Sequence, residues 1–336
     1  MEPNNGRPVL EIKDLCKTFK LPLGLLPWML GRKAEVVTAV DHVSLGVQKG
    51  EILGVVGESG CGKTTLLRCI ARIYESDSGK VLFEENDLTE ANPQQMRGLR
   101  RKIQVIFQDP YSSLNPRLKV KQVLDEVLRV HDIVPPEKRE ERVLELLRLV
   151  GMDCEALNRL PSQFSGGQRQ RIGIARALAM EPSLLLADEP VSALDVSIQA
   201  QVINLLVELQ ENLGLTMIFV SHDLRVVRHI SARVAVMYLG KIMEIGPTEA
   251  VFANPGHCYT KVLLAAAPEL DPTLRTEVSA VQGDPPSPIH IPPGCRFHPR
   301  CSEATEVCRS EIPSLEEVEL GHFVACHLSV AGDQVV

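Results

Sequence analysis

A single turn restricts the fold of this 336-residue chain more than any other feature of its sequence. The stretch GESGCGKT at residues 57–64 follows the apolar run EILGVV and precedes a segment with helical periodicity. Glycines in such a turn let consecutive backbone N–H groups curl around phosphate oxygens. The pattern predicts a phosphate-binding loop between a strand and a helix. The alternative is a glycine-rich turn that carries a lysine by chance.

This loop is expected to bind the phosphates of a nucleotide. Lys63 is expected to reach the β- and γ-phosphates, and Thr64 to bind Mg²⁺. The residues predicted to contact the nucleotide here are Gly57, Glu58, Ser59, Gly60, Cys61, Gly62, Lys63, Thr64 and Thr65.

Short apolar runs alternate with helical patterns up to residue 245, which predicts an α/β fold with a mainly parallel sheet. Three of these runs lead into polar residues: KIQVIF at 102–107 into Gln108, SLLLA at 183–187 into Asp188, and LTMIFV at 215–220 into Ser221 and His222. Parallel sheets bind ligands at the carboxyl ends of their strands. The polar residues that follow these runs are therefore candidates for one site.

Each strand-end residue has an expected role in nucleotide hydrolysis. Asp188 is expected to hold the metal ion, and Glu189 to face the attacking water. Gln108 is expected to reach the metal or the water, and His222 to reach the γ-phosphate. Taken alone, each is more often a structural residue, and Glu189 could simply cap a following helix. Four of them around one phosphate loop indicate a catalytic site.

The segment FSGGQRQR at 164–171 predicts a helix that begins with two glycines. Ser165 and Gln168 have the spacing of a capping box. Gly166 and Gly167 weaken a first helical turn by roughly 1 kcal/mol each relative to alanine. A helix N-terminus without side chains is a ready anion site, so we expect an anion to approach this backbone closely.

These motifs together resemble the nucleotide-binding subunit of an ABC transporter over residues 8–265. The resemblance rests on GESGCGKT, Gln108, SGGQ at 165–168, DEP at 188–190, SALD at 192–195 and His222. It implies a P-loop NTPase (RecA-like) core with an antiparallel β subdomain, an inserted helical subdomain, and ATP with Mg²⁺ as cofactors.

The resemblance also implies how the site residues work. Glu189 and His222 would be catalytic, and Mg²⁺ would be bound through Thr64, Gln108 and Asp188. Two subunits would pack head to tail, so that the helix tip of one presses on the γ-phosphate held by the other. The residues implied in this contact are Ser165, Gly166, Gly167 and Gln168. Asp195 would line the dimer interface.

Longer stretches narrow the resemblance to the ATPases of oligopeptide, dipeptide and nickel importers. They are QDPYSSLNPR at 108–117, PVSALDVSIQAQV at 190–202, SHDLRVVRHISARVAVMYLGKIMEIG at 221–246, ANPGHCYTKVLLAAAP at 253–268 and GCRFHPRC at 294–301. PYSSLNPR is similar to the second of two paired ATPase subunits.

This narrower resemblance implies an ATP-hydrolysing importer subunit for di- or oligopeptides, with a nickel chelate or a sugar as alternative cargo. Its implied partners are integral-membrane permease subunits, a non-identical second ATPase subunit in preference to a homodimer, and, indirectly, an extracytoplasmic substrate-binding protein. The implied location is peripheral, on the cytoplasmic face of the inner membrane.

Charge and composition help to distinguish this interpretation from other classes of protein. The net charge of −7 does not favour a nucleic-acid partner. No apolar run approaches the roughly 20 residues of a spanning helix, and the first residues, MEPNNGRP, do not look like a signal peptide. A soluble ABC ATPase that acts on nucleic acid or ribosomes usually has a coiled-coil insertion or two cassettes. A P-loop kinase or regulatory switch would leave SGGQ unexplained.

The sequence divides into an ATPase domain at 8–250 and a C-terminal extension at 251–336. Apolar spacings of three and four at 120–130 and 139–150 predict a helical subdomain inserted at 109–164. Five prolines at 281–294 predict a stiff linker within the extension.

Four of the nine cysteines lie in the last 42 residues, namely Cys295, Cys301, Cys308 and Cys326. Their spacing lacks the C-x2-C pair of common zinc ribbons and the ferredoxin run. A [4Fe–4S] cluster, which some relatives of this importer group carry on similar cysteines, is one interpretation. Zinc, with His298 or His327, is a second, and free thiols in a small folded cap are a third. The other five are expected to be packing or loop residues: Cys16, Cys61, Cys69, Cys154 and Cys258.

One departure from the family pattern concerns adenine. ABC ATPases usually stack the base on an aromatic residue shortly before the second strand, whereas Ala34 to Val37 offers only aliphatic side chains there. Phe19, or Trp28 in the 20–33 insertion, is a candidate substitute; the insertion itself is expected to be a surface loop.

Overall fold

The computed structural model describes residues 7–21, 34–109, 114–266 and 286–330. Several features of the sequence analysis lie wholly or partly outside the described residues: the 20–33 insertion with Trp28, the start of PYSSLNPR, the end of ANPGHCYTKVLLAAAP, and the start of the proline-rich linker. Within the described ranges, no helix is both long and apolar enough to cross a membrane.

Strands and helices alternate along the chain, which confirms the α/β fold class. The strands are β1 Leu10–Lys20, β2 Val36–Val47, β3 Ile52–Val56, β4 Ser78–Phe83, β5 Asn86–Asp87, β6 Ile103–Ile106, β7 Leu184–Asp188, β8 Thr216–Ser221, β9 Arg233–Tyr238, β10 Lys241–Pro247, β11 Glu316–Glu319 and β12 His322–Val324. The α-helices are Lys63–Ile70, Pro93–Lys102, Val120–Val130, Arg139–Leu149, Gly166–Leu178, Val196–Leu213, Leu224–Ile230, Thr248–Ala253, Cys258–Ala266, Glu306–Ser310 and His327–Val330.

The described residues form two compact units. The first is drawn from residues 1–8, 47–52 and 90–221, and the second from residues 9–46, 53–89 and 222–336. Each unit therefore combines segments that are distant in the sequence.

The first unit contains three parallel strands, β6, β7 and β8. Ile103 pairs with Leu184 and Leu184 with Thr216, so the strands run in register from the same edge. Every residue of β7 and β8 is buried, as expected for strands covered on both faces. Their carboxyl ends meet at one edge of the sheet.

The helices of the first unit bury one face each. Val120–Val130 buries Val120, Val123, Leu124 and Leu128, a spacing of three and four that forms one apolar stripe. This helix packs against Arg139–Leu149 and Gly166–Leu178, and those two also contact each other. Three mutually packed helices thus support the segment that begins at Gly166.

The second unit contains an antiparallel sheet in the order β2-β1-β4-β5, with Leu10 opposite Phe83. It also contains the strands β11, β12, β10, β9 and β3, in that order. β3 and β9 are parallel, whereas β10 pairs antiparallel with both β9 and β12. The C-terminal extension thus contributes two strands to this unit.

A buried carboxylate secures the extension to β10. Glu244 is fully buried and accepts hydrogen bonds from the backbone N–H groups of Gly256 at 2.8 Å and His257 at 2.9 Å. His322 Nε2 lies 2.7 Å from the same side chain. A buried carboxylate is costly unless it has such partners, so removing any of them would weaken this junction.

Candidate nucleotide-binding site

The phosphate loop has the local structure that its sequence predicts. β3 ends at Val56, and a helix begins at Lys63 after the loop. A Cβ atom added to Gly57 would lie 2.1 Å from the carbonyl oxygen of Met237, and one added to Gly62 would lie 2.0 Å from that of Ala39. Gly62 also has a φ of 109°. Neighbouring backbone therefore requires glycine at both positions.

Lys63 folds back over this loop. Its side chain donates to the carbonyl oxygens of Gly57 at 2.7 Å and Glu58 at 3.0 Å, and the residue is almost completely buried. Burial raises the pKa of the nearby Cys61 thiol, which opposes the lowering effect of the Lys63 charge. Cys61 therefore stays a neutral thiol at physiological pH.

The first unit brings Gln108 and Glu189 together. The Gln108 Nε2 group donates to Glu189 Oε2 at 3.2 Å. Asp188, which ends β7, is buried. Gln108 follows β6 and Ser221 ends β8, so the polar residues expected at strand ends do lie at the carboxyl ends of three neighbouring strands.

Glu189 has an unusual backbone for a residue that is not glycine. Its φ is 45°, a left-handed conformation that costs on the order of 1 kcal/mol or more. Its N–H donates to the carbonyl of Val220 at 3.1 Å, and its own carbonyl accepts from the N–H and hydroxyl of Ser192 at 3.2 and 3.1 Å. These bonds stabilise the strained turn at Glu189.

The helix Gly166–Leu178 begins with the predicted capping box. Ser165 N–H donates to Gln168 Oε1 at 3.1 Å, and Gln168 N–H donates to Ser165 Oγ at 3.3 Å. Both capping side chains are exposed.

The two glycines of this helix have a reason that the sequence analysis missed. A Cβ atom on Gly167 would lie 2.3 Å from Cγ2 of Ile198, and one on Gly166 would lie 3.1 Å from Cδ2 of Leu194. Gly167 is therefore required by packing within the chain, whatever anion approaches the helix tip. From the sequence alone, a glycine that makes room for a neighbouring side chain cannot be distinguished from one that makes room for a ligand.

Two further predicted residues are exposed. Asp195 precedes the helix Val196–Leu213, and its carbonyl accepts from the N–H groups of Ile198 and Gln199. His222 follows β8 in the chain. Phe19, a candidate for adenine stacking, packs edge-on against Tyr74 with ring centroids 5.3 Å apart.

Comparison with known families gives two matches. The ABC transporter family matches residues 40–192, and the C-terminal region of oligopeptide/dipeptide transporters matches residues 243–308. Among curated proteins, the oligopeptide transport ATP-binding protein AppF of Bacillus subtilis is 48% identical over 98% of this chain and 99% of its own length. The chain belongs to the ABC transporter family.

Other relatives of this ABC ATPase are also ATP-binding proteins of transporters. A probable peptide ABC transporter ATP-binding protein of Sinorhizobium fredii, y4tS, is 50% identical over 95% of the chain and 90% of its own length. The dipeptide transport ATP-binding protein DppF of Haemophilus influenzae is 47% identical over 97% and 98%. The protein is accordingly an ATP-binding, ATP-hydrolysing subunit.

Solved structures show the same fold. An ATP-binding cassette, crystallised as a dimer in a post-hydrolysis state with ADP and phosphate, is similar with a TM-score of 0.62 and 30% identity over 71% of this chain and 98% of its own. CbiO1 of Clostridium perfringens, part of an ABC transporter complex, has a TM-score of 0.63 and 27% identity over 74% and 92%. The ABC cassette fold predicted from the motifs is confirmed.

The cysteines of this ABC ATPase form a cluster that differs from the predicted set. The Cys258 thiol donates to Glu303 Oε2 at 3.6 Å and lies close to the thiols of Cys301 and Cys326. The neighbouring Cys258 thiol is the main cause that lowers the pKa of Cys301 to about 7 and of Cys326 to about 6. Cys295 lies beside them, and its N–H donates to the carbonyl of Cys308 at 2.8 Å.

Cys258 is buried, as expected for a packing residue, and it also adjoins two cysteines of the predicted set. It precedes the proline-rich linker, far along the chain from the other four, so no spacing rule could join it to them. Within the described part of the chain, the sulfur atoms of Cys258, Cys301 and Cys326 do not all lie within 4.8 Å of one another. A single zinc ion, with bonds of about 2.3 Å to sulfur, needs a more compact set.

Proposed function

We propose that this ABC ATPase powers the import of di- or oligopeptides. The observation that carries the proposal is the match of residues 243–308 to the C-terminal region of oligopeptide/dipeptide transporters. The names of the relatives support the same cargo. A nickel chelate and a sugar are the alternative cargoes.

The proposed partners follow from this role. The chain would act as a peripheral subunit on the cytoplasmic face of the inner membrane, bound to integral-membrane permease subunits. A second, non-identical ATPase subunit would complete a head-to-tail dimer, and an extracytoplasmic binding protein would deliver the cargo. The acidic net charge of −7 supports the absence of a nucleic-acid partner.

The proposed chemistry assigns one task to each group. Lys63 and the backbone of residues 57–65 bind the phosphates of ATP. Thr64, Gln108 and Asp188 would hold Mg²⁺, which supplies charge neutralisation on the phosphate oxygens. Glu189 is the general base that polarises water for in-line attack on the γ-phosphorus, and His222 keeps water and γ-phosphate aligned.

The contact between Gln108 and Glu189 supports this assignment. Because Gln108 donates to Glu189 Oε2 at 3.2 Å, it restrains the carboxylate of the proposed base. Gln108 also adjoins the helical segment at 109–164, the proposed inserted subdomain of the 8–250 domain. It is thus placed to report the state of the γ-phosphate to the surface that binds the permease.

The helix tip Ser165–Gln168 is proposed to contact ATP held by the neighbouring subunit, with Asp195 at the dimer interface. The exposure of Ser165, Gln168 and Asp195 supports a role outside this chain. Backbone N–H groups at a helix N-terminus stabilise the negative charge that hydrolysis places on phosphate oxygens.

The cofactor of the extension 251–336 is proposed to be a [4Fe–4S] cluster on Cys295, Cys301, Cys308 and Cys326. The donor chemistry fits, since four thiolates are the usual ligands of such a cluster and three of these cysteines are buried. Its role would be structural, in a segment too short to build its own core.

Iron and sulfide analysis of anaerobically purified protein tests this cofactor. We expect close to four iron atoms per chain, and loss of most of them in Cys308→Ser. Cys154→Ser is the matched control, because Cys154 is exposed and lies in the first unit. Iron-free protein with intact fold would contradict the cluster and leave zinc or free thiols.

Reconstitution with the permease and binding protein in liposomes tests the function. Peptides are expected to stimulate ATP hydrolysis, whereas nickel chelates and sugars are not. Glu189→Gln should retain ATP binding and lose turnover by about 10²–10⁴, the range for a general base, which is roughly 3–5 kcal/mol of barrier. Near-normal turnover of this variant would remove Glu189 from the role. Stimulation by another cargo alone would overturn the peptide assignment.

A further inference from the structure

A side chain of the phosphate loop is bound by the C-terminal extension. The Arg300 guanidinium donates through Nη1 to Glu58 Oε2 at 2.9 Å and through Nη2 to Glu58 Oε1 at 3.0 Å. The Arg300 side chain is 8% exposed and that of Glu58 is 24% exposed. Two parallel, charge-assisted bonds in a largely buried setting are the strongest arrangement of this ion pair.

The backbone of Glu58 is held by the extension as well. Its N–H donates to the hydroxyl of Tyr259 at 2.9 Å. Tyr259 is completely buried, and burial raises the pKa of its hydroxyl, which therefore stays neutral. This bond therefore helps to set the shape of the first turn of the phosphate loop.

Aromatic packing fixes both partners of Glu58. The rings of Tyr238, Tyr259 and Phe297 contact one another with centroid distances of 4.5, 5.3 and 5.5 Å. The Arg300 guanidinium lies 5.9 Å from the ring of Tyr238 and 5.7 Å from that of Phe297. Arginine held over two rings loses little freedom when it binds a carboxylate.

The thiol cluster links the two residues that hold Glu58. Cys258 precedes Tyr259, and Cys301 follows Arg300. The thiols of Cys258 and Cys301 lie close to each other. The helix that carries Tyr259 and the turn that carries Arg300 therefore lie close together beside the loop.

We infer that Arg300 and Tyr259 are positioning residues, through which the C-terminal extension holds the phosphate loop in its nucleotide-binding shape. They act through Glu58 and do not themselves touch the reacting atoms. The inference rests on the proposed role of residues 57–65 in phosphate binding. It gives the extension, which the ABC cassette motifs do not include, a part in ATP affinity.

Binding of a fluorescent ATP analogue to the full chain, and ATPase kinetics of the reconstituted transporter, test this inference. Arg300→Gln should raise the Kd and the KM for ATP about tenfold, the scale of a lost charge-assisted pair. The kcat at saturating ATP should change by less than about threefold, because Glu189 is untouched. Arg300→Lys should give an intermediate Kd, since lysine keeps the positive charge but cannot form two parallel hydrogen bonds with the carboxylate.

A matched control is available in the same segment. Arg296 is buried, pairs with Asp41 and donates to the carbonyl of Leu239. Arg296→Ala should therefore lower thermal stability without changing the Kd for ATP. In a double-mutant cycle, adding Arg300→Gln to Glu58→Gln should raise the Kd no further, because the pair is already broken.

The outcomes separate the two hypotheses. Wild-type protein that fails to bind the analogue would refute the proposed phosphate site. Wild-type binding with an unchanged Kd in Arg300→Gln would overturn the inference alone. An equal loss of binding in Arg296→Ala, or full additivity with Glu58→Gln, would also overturn it, since both point to a general loss of stability.

Discussion

Glu189 combines a strained backbone conformation with a proposed catalytic role. Its left-handed φ of 45° turns the chain immediately after a fully buried strand. Asp188 consequently stays buried as part of β7, while the carboxylate of Glu189 reaches Gln108. Two adjacent acids with different surroundings can take different tasks, one as metal ligand and one as base.

His257 is a second residue with a specific environment. Its Nδ1 accepts from the N–H of Tyr259 at 2.9 Å, and the ring is almost completely buried. Burial, assisted by the charge of Lys261, lowers the pKa of His257 from 6.5 to about 4. The imidazole therefore stays neutral in the folded chain at physiological pH.

A pH dependence of stability follows from His257. Below pH 6.5 the unfolded chain binds a proton that the folded chain excludes, so this residue reduces stability as the pH falls from 6.5 toward 4. Between pH 7 and pH 5 the expected loss is about 2 kcal/mol. Urea unfolding of wild type and His257→Asn at both pH values measures it. Asparagine can replace the Nδ1 acceptor and does not titrate. Equal pH dependence of the two proteins would contradict this account.

At the scale of secondary structure, the sequence predicted what local periodicity controls. The run 102–107 was expected to lead into Gln108, and β6 is Ile103–Ile106; the run 183–187 was expected to lead into Asp188, which ends β7. Ser165 and Gln168 form the expected capping box. Each of these features depends on residues a few positions apart, and their pattern is visible in one sequence.

Contacts between distant segments could not be predicted in this way. Arg300 and Glu58 are 242 residues apart, and Cys258 lies close to Cys301, which is 43 residues further along the chain. Gly167 was assigned to an anion because the sequence does not show Ile198 beside it. A single sequence gives residue types, but not the partner that tertiary packing places next to them.

The packing of Gly167 can be tested at the level of the two helices. Alanine gains about 1 kcal/mol of helix propensity, but its Cβ would lie 2.3 Å from Ile198 Cγ2, and overpacking costs about 1–3 kcal/mol. We expect Gly167→Ala to lower the free energy of unfolding by about 1 kcal/mol, as measured in urea.

Two controls accompany this prediction. Gly166→Ala should cost less, since its nearest contact is 3.1 Å from the end of the Leu194 side chain. Gly167→Ala combined with Ile198→Ala should be less destabilised than the sum of the single changes, because the clash is removed. A stabilised Gly167→Ala would show that an anion, and not Ile198, is the reason for this glycine.

At the scale of the whole molecule, the proposed functional groups are divided between the two units. The phosphate loop shares its unit with the C-terminal extension, whereas Gln108, Glu189 and the helix tip at Ser165 belong to the other unit. The proposed phosphate loop and the proposed general base thus belong to different units. Changes in the extension should alter how much ATP is bound, and changes near Glu189 should alter how fast it is cleaved.

The pairing of β10 with β12 has a consequence for how this protein could be shortened. β10 carries Ile242, Met243 and Ile245, all buried, and β12 pairs with its outer edge at Glu244 and Ile245. A fragment cut at residue 250 would present unpaired backbone amides along an apolar ribbon, the usual template for intermolecular aggregation. It would also deprive Glu244 of His322. A shortened form of this protein should therefore keep β12 if it is to fold without aggregating.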